Sequence, residues 1–210
     1  MDRKEIKAEA REKIKGNIWN ILWPILVIGI VGGAISTICQ RLFGVNPVDE
    51  TTAPAGYYLL SSVVSLAISI VSAGYIKYLL DFVRKGKFDE KTIIETVKTK
   101  WQPLLVATIL GFIIIYLATL LLIIPGIIMG LAYSFIVYII LDNDINGKEA
   151  LTKSREMMKG YKWDFFVFNL SFLGWIILGI FTLGILYIWL IPYMSIAEVI
   201  YYERLKKIKE

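Results

Sequence analysis

Four long stretches of this chain carry no charged residue: 16–40, 51–76, 102–141 and 165–197. Segments dense in Lys, Arg, Asp and Glu separate most of them. A bilayer core about 30 Å thick is crossed by roughly 20 apolar residues of helix, and every one of these stretches is longer than that. They read as membrane spans. The first predicts a span at 17–39 and the second a span at 57–80. Between them a polar segment with Asn46, Pro47, Asp49, Glu50 and Pro54 marks an external loop. The run 102–141 is too long for one crossing. Pro125-Gly126 divides it into spans at 101–124 and 126–141, because proline breaks a helix and glycine lets the chain turn. The last run, extended at both ends, turns at Thr182, Leu183 and Gly184 and gives spans at 163–181 and 184–203. The expected fold class is all-α, a polytopic bundle of six transmembrane helices in three hairpins.

The charged segments share a pattern of their own. Lys15-Gly16-Asn17-Ile18-Trp19 and Lys159-Gly160-Tyr161-Lys162-Trp163 both read K-G-x-x-W, and Lys98-Thr99-Lys100-Trp101 is a third copy, one residue shorter and without the glycine. Each copy closes a charged segment and opens a hairpin. This predicts a threefold unit, a surface helix followed by two spans, with surface helices at 1–16, 89–100 and 147–161. Glycine supplies a left-handed cap at two of the three sites. Trp19, Trp101 and Trp163 are placed to anchor the new span at headgroup level. In the third surface helix Asn146 is the expected cap, with Glu149 three residues on. Ala150, Leu151, Ser154, Met157, Met158 and Tyr161 form one face at helical spacing, while Lys148, Lys153, Arg155 and Lys159 lie mostly elsewhere. Such a helix either lies in the membrane interface or packs on the ends of the spans. The second surface helix shows Ile93, Ile94, Val97 and Trp101 on one side, and the first a narrower stripe of Ile6, Ala10, Ile14 and Asn17.

Charge fixes the expected orientation. Segment 1–15 holds six Lys and Arg, 81–100 six, 142–162 five and 204–210 four, which accounts for 21 of the 23. Arg41 is in the predicted external loop and Lys77 within a span. The positive-inside rule puts both termini and both charged loops in the cytoplasm, and an odd number of spans would strand the basic tail outside. The first span reads as a retained anchor, because the segment before it mixes acids with bases and no small-residue cleavage site follows. The composition agrees: 57% of residues are hydrophobic and mean hydropathy is +0.63. The formal charge of +5 is then a matter of topology and anionic lipid headgroups on the cytoplasmic face rather than of nucleic acid.

Candidate chemistry is sparse. The chain has no His and one cysteine, Cys39, which excludes histidine-based hydrolytic triads, an internal disulfide and a cysteine metal site. No cofactor is expected. Two ionisable groups fall inside spans, where charge is costly. Lys77 lies about two turns from Arg84 and Glu198 about one and a half turns from Arg204, so each sits roughly 10 Å within the boundary at 1.5 Å per residue. Matching depth predicts a Glu198–Lys77 pair between the second and sixth spans. Asp81, Arg84 and Arg155 are the competing partners, and Lys77 can also snorkel to Asp81 one turn away. Pro192 interrupts the sixth span and frees the carbonyl of Ile188. Ser62, Ser65, Ser69 and Ser72 share a face of the second span that serves close helix packing or a hydrophilic conduit. Gly29/Gly33 and Gly126/Gly130 have the spacing of packing motifs.

Several of these segments together resemble a known family. They are the opening Met1-Asp2-Arg3-Lys4-Glu5-Ile6-Lys7, the Ile124-Pro125-Gly126-Ile127 turn, and the Glu149-Ala150-Leu151…Ser154…Met157-Met158-Lys159-Gly160 helix. The Ile191-Pro192-Tyr193…Tyr202-Glu203 ending completes the set. The chain resembles the bacterial integral membrane family called domain of unknown function 975, and the helix before the fifth span is the most specific element. The resemblance implies a multi-pass protein of the bacterial cytoplasmic membrane. It brings no activity and no catalytic residues. The first expectation for function is a non-enzymatic module engaging lipids or a membrane partner through its cytoplasmic helices, alone or as a homo-oligomer. A small transporter or channel is the second, and has one intramembrane acid and one base for coupling. A membrane enzyme acting on lipids is the third, and has neither histidine nor an acidic pair within the spans.

Overall fold

The computed structural model describes residues 1–46 and 52–209. Among them every regular element is a helix. Pro47, Asp49 and Glu50 of the expected external loop lie outside the described residues. Helix α1 (Arg3–Ile14) starts on Asp2, whose carboxylate accepts the N–H groups of Lys4 at 2.9 Å and Glu5 at 3.2 Å. These bonds satisfy two otherwise orphaned donors of the first turn and hold the Asp2 carboxyl below its usual range. The chain then turns through Gly16, at φ +79°, into α2 (Ile18–Leu42) and returns as α3 (Ala55–Lys85). Next come α4 (Lys91–Leu121), α5 (Ile123–Ala132) and α6 (Ile136–Asp142). The remainder is α7 (Gly147–Met157), α8 (Lys162–Leu170), α9 (Leu173–Phe181) and α10 (Tyr187–Lys209).

Five helical segments are long and apolar enough to cross a membrane: Ile18–Leu42, Ala55–Lys85, Lys91–Leu121, Ile123–Asp142 and Lys162–Phe181. These overlap the first five expected spans, and the third departs most, starting at Lys91 rather than at 101. The sixth expected span falls in α10, whose C-terminal half carries Glu198, Glu203, Arg204 and Lys206, and α10 is not among the five.

Three boundaries are instructive, and two of them differ from expectation. The two K-G-x-x-W glycines are both left-handed, Gly16 at φ +79° and Gly160 at φ +88°, and each separates a short helix from a span. The third copy has Thr99 in the corresponding stretch, and no break occurs there. The expected surface helix at 89–100 is instead the first third of α4, continuous across Trp101. Without a residue that tolerates the left-handed conformation, the helix runs on. Second, the turn expected at Pro125-Gly126 falls at Leu122, which is extended at φ −161° and ψ 147°. Pro125 sits in the first turn of α5, where its missing N–H has no intrahelical role. Gly126 packs so closely on Thr119 of α4 that a Cβ would collide with its side chain and backbone. Third, the chain turns at Thr182–Gly184, with Leu183 at φ +51° and Gly184 at φ +87°.

Burial divides the molecule into two ends. At the charged end the core is dense and aromatic: Tyr78, Phe135, Phe168, Phe172, Tyr193, Tyr201 and Tyr202 are buried, with Ile6, Ala10 and Ile14 of α1 against them. At the opposite end apolar side chains face outward, with Leu121 78%, Phe181 79% and Leu183 94% exposed. Contiguous apolar exposure of this kind is not tolerated in water. It is the surface of a helix bundle whose solvent is hydrocarbon.

Candidate functional site

The charged end holds two clusters of polar side chains. Helix α7 is built as its sequence indicates: Asn146 Oδ1 accepts the N–H of Glu149 at 2.9 Å. The Glu149 carboxylate meets Lys153 at 3.2 Å, one turn on. Ala150, Leu151, Ser154 and Met158 are buried, and the Ser154 hydroxyl donates to the Ala132 carbonyl at 2.9 Å. The apolar face of α7 is therefore turned inward onto α4, α5 and α6. Lys148, Lys153, Arg155 and Lys159 remain exposed. Three of them, joined by Lys162, line a cleft of about 810 Å³ whose other wall is apolar: Leu110 and Ile114 of α4, Tyr133 and Leu151. Glu156 is the carboxylate on its rim. Among the described residues no acid comes within ion-pair distance of Lys148, Arg155, Lys159 or Lys162. Trp19, Trp101 and Trp163 are exposed by 67%, 46% and 74%.

A second cluster is one that sequence reading missed. The Arg84 guanidinium donates to both oxygens of Asp142, at 2.7 and 2.6 Å, and to Glu203 at 2.6 Å. Asp142 also accepts from Lys206 and from the Tyr202 hydroxyl, each at 2.9 Å. Its side chain is 2% exposed, so its charge is tolerated only because these donors surround it. The knot ties α3, α6 and α10 together. No helical periodicity reports it, because its members lie far apart in sequence. The signal that could have found it is that Arg84, Asp142 and Glu203 each stand at the edge of an apolar run. A lesser pair joins Lys100 to Asp144 at 2.8 Å and holds that carboxyl below its usual range.

The expected Glu198–Lys77 pair does not form. Lys77 Nζ turns to Asp81 at 3.2 Å, and Lys85 meets the same oxygen at 3.1 Å. A lysine stem is long enough to reach the boundary along its own helix, and a carboxylate waits there one turn away. Glu198 faces the buried hydroxyl of Tyr138 on α6, a neutral donor that serves a carboxyl group with no cation nearby. The serines of α3 bond within their own helix: Ser62 donates to the Tyr58 carbonyl and Ser72 to the Ile68 carbonyl. Among the described residues no three metal-ligating side chains come together. The charged end thus offers cations backed by apolar walls.

No curated protein and no solved structure matches this chain. The family match covers the half that contains α5 to α10, including the Pro125-Gly126 turn, the α7 helix and the Pro192-Tyr193 and Tyr202-Glu203 pairs, while the opening 1–7 segment lies outside it. Residues 106–209 match the family described as Protein of unknown function (DUF975), the family that the sequence resembles.

Proposed function

We propose that this is a six-span protein of the bacterial cytoplasmic membrane, with both termini inside, that acts as a non-enzymatic module engaging anionic lipid headgroups through its cytoplasmic helices. The distribution of Lys and Arg supports the orientation. The apolar first half of α10, returning from the Leu183-Gly184 turn, supports the sixth crossing. One observation carries the lipid reading: the cleft beside α7, where Lys148, Arg155, Lys159 and Lys162 stand over Leu110 and Ile114. Its basic rim suits a phosphate and its apolar wall suits the chain attached to it. The face of α7 that could have lain in lipid is already buried in protein, so the helix contributes charge rather than hydrophobic insertion.

The test is lipid retention. Each basic residue near an anionic surface contributes on the order of 1 kcal/mol. Changing Lys148, Lys153, Arg155 and Lys159 together to Gln should therefore strip most co-purifying phosphatidylglycerol from the detergent-solubilised protein and leave insertion intact. Unchanged phosphatidylglycerol content in a correctly inserted variant would refute the reading.

A further inference from the structure

Helix α1 sorts its charges by side. Glu5 and Glu9 reach Arg204 of α10 at 2.7 and 2.8 Å. Arg3, Lys7, Arg11 and Lys15 fall at four-residue intervals along another flank. Cations four residues apart on a helix repel one another. No acid stands three or four residues from Lys7 or Arg11 in either direction. Among the described residues neither side chain reaches a carboxylate, and Arg3 has Asp164 at 3.7 Å.

Lys7 Nζ lies instead 3.2 Å from the Ser171 carbonyl and 4.3 Å from the Phe172 ring centroid. The Arg11 guanidinium lies 5.5 Å from the ring centroid of Tyr193, whose hydroxyl is buried. A cleft of about 600 Å³ opens along this flank, lined by Met1, Asp2, Arg3, Lys4, Lys7 and Ser171, and the Asp2 carboxylate in it is taken up by the N–H groups of Lys4 and Glu5. Burial lowers the pKa of the Lys7 ammonium, and the neighbouring Arg11 and Arg3 lower it further. Lys7 is a partly desolvated cation with the exposed Arg11 one turn away, and neither is paired with a carboxylate, an arrangement that an anion would relieve.

The surroundings say what the anion is attached to. Below Lys7 and Arg11, Phe172 and Tyr193 meet edge to face at 5.4 Å. Tyr193 packs on Trp189 at 4.8 Å, and Trp189 on Trp175 at 6.0 Å. This aromatic wall runs down α9 and α10 away from the charged end, and Trp175 at 38% and Ile180 at 66% exposure open it to the outside. We propose that the seam between α1 and the turn-linked α9 and α10 binds an anionic glycerophospholipid, its phosphate held by Lys7 and Arg11 and an acyl chain lying along Trp175 and Trp189. The site rests on the membrane reading above but is separate from the α7 cleft.

The experiment compares wild-type protein with K7Q/R11Q and K7R/R11K in detergent. Binding of phosphatidylglycerol with brominated acyl chains is followed by quenching of tryptophan fluorescence, with brominated phosphatidylcholine as the uncharged control. K7Q/R11Q should lose roughly tenfold or more in phosphatidylglycerol affinity, on the order of 1 kcal/mol per cation removed, while K7R/R11K binds as wild type. Stripped of lipid, K7Q/R11Q should melt no lower than wild type, and phosphatidylglycerol should raise the wild-type Tm more than the variant's. Unchanged phosphatidylglycerol affinity in K7Q/R11Q, or a lower lipid-free Tm, would overturn the proposal. So would equal protection by inorganic phosphate, which would make this a free-anion site. If this site fails while the α7 variant still loses lipid, the α7 reading stands; retention of lipid by both variants removes both.

Discussion

Arg84→Met is the most informative single substitution at the charged end. It removes the guanidinium that joins Asp142 at 2.6 and 2.7 Å to Glu203 at 2.6 Å. Breaking a buried ion pair by deleting one partner costs about 3–5 kcal/mol, most of it the penalty of the stranded charge. Two features reduce that here. The Arg84 side chain is 26% exposed, and Lys206 stays 2.9 Å from Asp142. We expect a loss of about 2–3 kcal/mol after discounting for solvent screening. Adding Asp142→Leu removes the stranded carboxylate and lets Glu203 and Lys206, three residues apart on α10, face each other. The double variant should be less destabilised than the sum of the singles by at least about 1 kcal/mol. The assay is reversible unfolding in mixed micelles by SDS titration, followed by tryptophan fluorescence. An Arg84→Met protein within about 0.5 kcal/mol of wild type, or strict additivity of the pair, would refute the claim that this knot fastens α3, α6 and α10.

Three further substitutions test neighbouring contacts. Gly160→Ala forces a Cβ into a φ of +88° and should cost about 1 kcal/mol; Thr99→Gly should cost a similar amount by loosening continuous helix, and a stabilising effect of Thr99→Gly would contradict the unbroken α4. Glu198→Gln and Lys77→Met should be additive in stability because the two groups do not meet, whereas Glu198→Gln and Tyr138→Phe should couple by about 0.5 kcal/mol or more; the reverse pattern would restore the cross-span ion pair. Tyr202→Phe deletes one donor to Asp142 and should cost about 1 kcal/mol, measured in the same titration, while a neutral result would mean that Arg84 and Lys206 satisfy that carboxylate alone.

The parts of this fold legible in sequence are those set by near neighbours. The Asn146 cap, the inward face of α7, the Leu183-Gly184 turn and the two left-handed glycines each depend on residues within a turn or two. So does the failure at the third copy: Thr99 in place of glycine was visible, and it decides that α4 does not break. The Leu122 turn was displaced because proline is tolerated in a first helical turn, so Pro125 marks where a helix has begun rather than where one stops. Lys77 and Glu198 were paired on depth alone, although depth does not fix azimuth; a lysine satisfied one turn away on its own helix needs no partner across the bundle. The Arg84–Asp142–Glu203 knot and the basic flank of α1 over Phe172 and Tyr193 depend on which helices become neighbours, and single-helix periodicity does not encode that.

The account depends above all on six crossings with the charged end inside, and α10 is the crossing that decides it. Single cysteines placed at Gly44, Lys87, Lys153, Leu183 and Lys207 in a Cys39→Ser background can be probed in intact cells with a membrane-impermeant maleimide. Gly44→Cys and Leu183→Cys should label from outside, and the other three only after the membrane is permeabilised. External labelling at Lys207→Cys, or protection at Leu183→Cys with Lys153→Cys also protected, would contradict the six-span arrangement and remove the cytoplasmic setting of both lipid sites.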